Sequence, residues 1–120
     1  MILLLSDDDL FLTQIRTIVV ANTNVEIRVA RNGDEAIKLL KTFFPKLMLV
    51  DADMRRRKWG DMLGELYRSS DATSVIMLLT GLAKPEIGVH ELLRVGGDAI
   101  IDKKNAARLL PLLIKEAMES

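Results

Sequence analysis

Side chains able to do chemistry fall at a few fixed places in this 120-residue sequence. Ser6, Asp7, Asp8 and Asp9 follow the apolar run Ile2–Leu5, Asp51 follows Leu47–Val50, Thr80 follows Val75–Leu79, and Asp102 with Lys103 follows Ala99–Ile101. Carboxylates, one hydroxyl and one ammonium therefore stand at the ends of short apolar stretches. Clustered carboxylates repel one another unless a cation joins them, and hard oxygen ligands with room for water suit Mg²⁺. A phosphate is the natural ligand of such a group. An aspartate beside Mg²⁺ can itself attack a phosphoryl group when the metal, a lysine and a hydroxyl neutralise the phosphoryl oxygens in line.

These residues meet only if the intervening chain positions them. Ile2–Leu5, Leu47–Val50, Val75–Leu79 and Ala99–Ile101 read as buried strands, and Val25, Ile27 and Val29 alternate with polar residues as in a strand near a sheet edge. Between them lie stretches of helical spacing. Phe11, Ile15, Ile18 and Val19 share one helix face, and Ala36, Ile37, Leu40, Phe43 and Phe44 form a stripe after an Asn32/Glu35 cap, ended by Pro45. Met62, Leu63, Leu66 and Tyr67 mark a third helix, a fourth runs from Pro85 to near Val95, and Leu109, Leu110, Leu113, Ile114 and Ala117 mark a fifth. Gly88 weakens the fourth helix, and Gly96 and Gly97 suit its end. Pro111 fits only if the fifth helix starts near Ala107. Five strands alternating with five helices predict an α/β fold: a flavodoxin-like, doubly wound, five-stranded parallel sheet of order 2-1-3-4-5, as one domain over 1–120. Ligands of such sheets bind beyond the carboxyl ends of the strands.

Composition narrows the chemistry. There are no cysteines and one histidine, His90, so disulfides, thiolate catalysis and His-rich metal clusters are excluded. Seventeen basic residues balance seventeen acidic ones, so no global basic field favours nucleic acid or anionic lipid. The apolar runs are far shorter than the ~20 residues of a membrane span. A cytoplasmic location without nucleic-acid or membrane partners is expected.

Five segments in this order resemble the receiver domains of two-component response regulators: "ILLLSDDDLFLTQIR", "RNGDEAIKLL", "PKLMLVDADM", "VIMLLTG" and "GGDAIIDKK". The resemblance covers essentially the whole chain. It implies that Asp51 receives a phosphoryl group from a partner histidine kinase or phosphotransfer protein, with Thr80 and Lys103 contacting that group. It also implies that Asp7, Asp51 and the backbone carbonyl of Asp53 ligate Mg²⁺, with Ser6 as a weak contributor. The protein would then be a phosphoacceptor rather than a turnover enzyme, signalling to a downstream protein through the face of its fourth helix, fifth strand and fifth helix.

Departures from the family pattern are equally specific. Ser6 stands where one acid of a pair is usual, which should weaken Mg²⁺ binding without abolishing it. Arg55 and Lys104 replace prolines, the second leaving Lys103 less rigidly held, and Ile100 replaces a switching aromatic. These changes also fit a phosphorylation-independent pseudo-receiver that acts only as an interaction module. The "VDADM" segment resembles, more remotely, haloacid-dehalogenase-type phosphatases, with Asp51 as nucleophile and Asp53 as general acid. Simpler roles suit other residues: Asp8 and Asp9 cap a helix, and the side chains of Asp53 and Asp102 are solvated. Arg55–Lys58 form solvated surface, Trp59 packs, and His90 is neither ligand nor base.

Overall fold

The computed structural model describes residues 1–54, 65, 66, 68, 69, 75–81 and 99–119, with the side chains of 75–80, 99 and 119 left out of the description. The elements run β1 (Ile2–Leu5), α1 (Asp9–Asn22), β2 (Ile27–Ala30), α2 (Gly33–Leu40), β3 (Leu47–Asp51), β4 (Val75–Thr80) and β5 (Ala99–Asp102), then a 3₁₀ turn (Lys103–Asn105) and α3 (Ala106–Glu119). All strand pairs are parallel, and the sheet order is β2-β1-β3-β4-β5. Of the predicted third helix, Glu65, Leu66, Arg68 and Ser69 are described and helical. The predicted fourth helix, with Pro85, Gly88, His90, Gly96 and Gly97, lies outside the described residues, as do Arg55–Lys58 and Trp59.

The apolar runs form strands because both faces of the sheet are covered. β1 and β3 are buried at every position, whereas β2 at the edge is only partly buried at three of its four. Alternate residues feed two cores. Leu3, Leu5, Met48, Val50 and Ile100 face Ala36, Leu40 and Leu66 on one side. Ile2, Leu4, Leu47, Leu49 and Ile101 face Phe11, Ile15, Val19, Leu110 and Ile114 of α1 and α3 on the other. This parity decides which strand-end side chains share a side.

Local signals set most helix starts. Asp8 caps α1 by accepting from the amides of Leu10 and Phe11, and Asp9 in the first turn pairs with Arg31. Asn32 accepts from the Glu35 amide at 2.9 Å, while Glu35 reaches back to the Arg31 amide at 2.7 Å.

One helix expectation is corrected. α2 stops at Leu40, short of Phe43 and Phe44, because the last turn tightens: the amides of Lys41 and Thr42 bond to carbonyls only three residues back. Phe44 precedes Pro45, a position that disfavours helical backbone, and its ring is 70% exposed. Phe43 instead lies against Arg28, whose guanidinium carbon is 4.4 Å from the ring centroid. α3 starts at Ala106, next to the start near Ala107 that Pro111 requires, and the proline lies inside the helix. The proline removes one backbone donor there, and the buried stripe of Ala106, Leu110, Ile114 and Ala117 holds the helix on the sheet regardless.

Leu110 and Leu112 test this packing within one helix, at 0% and 68% exposure. Leu110→Ala should lower unfolding free energy by roughly 2–5 kcal/mol, and Leu112→Ala by less than about 0.5 kcal/mol, measured by urea denaturation.

Candidate functional site

Register brings the strand-end residues together. β1 and β3 pair as Ile2↔Leu47 through Leu5↔Val50, so the next step places Ser6 beside Asp51. Ser6 continues the parity of Ile2 and Leu4, Asp51 that of Leu47 and Leu49, and Lys103 that of Ile101. All three side chains thus emerge on the side covered by α1 and α3. Thr80 closes β4 with Asp102 as its register partner, and its side chain lies outside the description.

Asp51 is 2% exposed and fully engaged. Its Oδ2 accepts the Ser6 hydroxyl at 2.6 Å. Its Oδ1 accepts the Asp53 amide at 2.9 Å and the Lys103 ammonium at 2.8 Å. Ser6, itself 0% exposed, also accepts from the Asp8 amide at 3.1 Å, which ties the Asp51 carboxylate to the start of α1. Ser6 thus gives Asp51 a neutral hydrogen-bond donor.

Lys103 is held more firmly than the missing proline suggested. Its ammonium bridges Asp51 and Asp53 Oδ2, at 2.8 and 2.9 Å, and lies 4.4 Å from the centroid of the Phe11 ring. Burial pulls the ammonium down, but hydrogen bonds and charge from Asp51 and Asp53 outweigh it and leave Lys103 above the ordinary lysine range.

Asp53 is the main correction to the site. Its side chain, expected in solvent, is 20% exposed, and Oδ2 accepts both Lys103 and the Gly81 amide, the latter at 2.6 Å. Asp102 is partly solvated and caps the 3₁₀ turn by accepting from the Lys104 amide at 3.0 Å. Asp7 is exposed at the end of β1.

The donor set suits a hard cation. Asp7 and Asp51 offer carboxylates, and Asp53 offers a backbone carbonyl. No group of three or more acidic, histidine or cysteine side chains forms a metal cluster among the described residues. Mg²⁺ does not require one, because it keeps several waters and is commonly held by one or two carboxylates.

Residues 2–115 match the response regulator receiver domain family, and the chain belongs to it. Membership makes the protein a phosphoacceptor signalling domain rather than a turnover enzyme. A CheY-like receiver domain protein from Methanospirillum hungatei is 23% identical over 98% of this chain and 92% of its own, with a TM-score of 0.80. A signal receiver domain of an HD domain-containing protein from Pseudomonas fluorescens has 18% identity over 98% and 93%, with a TM-score of 0.81. A Burkholderia pseudomallei response regulator, solved with a phosphorylated aspartic acid, a calcium ion and citrate, has 20% identity over 99% and 74%, with a TM-score of 0.73. No curated protein matches by sequence. Among the described residues, no helix is long and apolar enough to cross a membrane.

Lys103→Met leaves Asp51 and Asp53 without their ammonium and should cost roughly 1–3 kcal/mol at neutral pH. Because the folded-state pKa is raised, this contribution is fully present below about 10.4, the unfolded lysine value. It fades as pH rises through the folded value. Denaturation of parent and variant should therefore differ at pH 7 and converge in strong alkali.

Proposed function

We propose that Asp51 is the phosphoacceptor, charged by a partner histidine kinase or phosphotransfer protein. The observation that carries this reading is a buried carboxylate at a strand end, bonded at once to an ammonium, a hydroxyl and an amide. In the transfer, an Asp51 oxygen forms the new O–P bond as the N–P bond of a phosphohistidine breaks. The electron pair returns to the imidazole, which takes a proton from solvent. Ser6 orients the carboxylate, and Lys103 neutralises the phosphoryl oxygens together with the Thr80 hydroxyl. Asp7, Asp51 and the Asp53 carbonyl would hold Mg²⁺, with Ser6 contributing weakly. Bound there, the ion supplies positive charge to the phosphoryl oxygens.

A groove of about 500 Å³ between α1 and α3, lined by Phe11, Thr13, Gln14, Ile15 and Lys103 among others, gives a partner side chain a route toward Lys103. Within a full complement of five helices in a single domain over 1–120, the new charge would bias a two-state surface. That surface comprises the predicted fourth helix, β5 and α3, and it would bind a downstream protein in the cytoplasm. Ile100 is only partly buried against the α2-side core, so a rotating aromatic is not the lever.

Incubation with a small-molecule phosphodonor and Mg²⁺, read by intact mass, should add one phosphoryl group to the parent and none to Asp51→Ala. Omitting Mg²⁺ should suppress the gain. An unlabelled parent would favour the phosphorylation-independent interaction module.

A further inference from the structure

The Asp53 carboxylate occupies donors that a phosphorylated Asp51 would need. Its Oδ2 takes the Gly81 amide at 2.6 Å and the Lys103 ammonium at 2.9 Å, and the same ammonium reaches Asp51 Oδ1 at 2.8 Å. An amide and an ammonium converging on one anionic oxygen make an oxyanion site, and here the chain fills it with its own carboxylate. Gly81 permits the approach: a Cβ there would lie 3.3 Å from Asp53 Oδ2 and 3.7 Å from Lys103 Cδ. A phosphoryl group on Asp51 would bring three strong acceptor oxygens and about −1.5 to −2 charges within reach of Lys103. Two anions cannot share that cradle without mutual repulsion.

We propose that Asp53 is an internal competitor for the phosphoryl group, an autoinhibitory carboxylate that must leave Gly81 and Lys103 before an oxyanion can settle on Asp51. The proposal rests on Asp51 being the acceptor. The Asp53 backbone is held separately, through its amide on Asp51 Oδ1 at 2.9 Å. The contact keeps the unphosphorylated site closed and discriminates against weakly bound phosphate-like anions.

Beryllofluoride, a phosphoryl mimic, separates the possibilities when titrated at saturating Mg²⁺ and followed by ¹⁹F NMR of the bound species. The chains compared are the parent, Asp53→Asn, Asp53→Ala and Asp51→Ala. Both Asp53 variants should bind at least about tenfold more tightly than the parent, equivalent to ~1.4 kcal/mol, and Asp51→Ala should not bind. The Gly81 amide proton should move upfield in Asp53→Ala, as its short bond is lost, and return downfield when beryllofluoride binds. If Asp53→Ala binds no more tightly than a parent that does bind, Asp53 supports the anion rather than competing with it, and the proposal falls. If no chain binds, the assignment of Asp51 falls and takes this proposal with it.

Discussion

The arrangement depends on one ion pair, the Lys103 ammonium against the nearly inaccessible Asp51 carboxylate. A charge taken from water costs several kcal/mol unless it is paired and its remaining lone pairs are satisfied. Asp51 meets both conditions through Lys103, Ser6 and the Asp53 amide. The carboxylate is thereby fixed in position. Lys103 is fixed in turn by Phe11 beneath it and by Asp53 beside it.

That pair exists because parallel strands hold one register across the sheet. Ser6, Asp51 and Lys103 come from three separate regions of sequence and emerge on one side only because β1, β3 and β5 keep the same alternation. A slip of one residue in any of them would turn its terminal side chain to the α2 face. The two cores therefore do more than stabilise the domain. By burying alternate residues against different helices, they fix the direction in which each strand-end group points.

Much of this was legible in the sequence, and the misses have physical causes. Strand runs such as Leu47–Val50 are apolar on both faces, as in central strands of a covered sheet, which placed Asp51 and Lys103 at the carboxyl edge of the sheet. Phe43 and Phe44 fitted a helical stripe by spacing, but the backbone restriction before Pro45 overrode it. Pro111 set the start of the last helix near Ala107, and α3 begins at Ala106. Position 6 was identified, yet spacing could not reveal that its hydroxyl bonds directly to Asp51. The Gly81 amide left no side-chain signal at all. Asp53 looked like an ordinary loop acid because its partners, Gly81 and Lys103, are 28 and 50 positions away in the chain.

The most direct test of the account is the covalent location of the phosphoryl group. Acyl phosphates are reduced by borohydride to alcohols, so treating the phosphodonor-loaded protein with borohydride converts a phosphorylated aspartate to homoserine, which peptide mass spectrometry can place. Homoserine at position 51 alone is the expected result. Homoserine at 7, 53 or 102, or at no position in protein that has taken up phosphate, would contradict it.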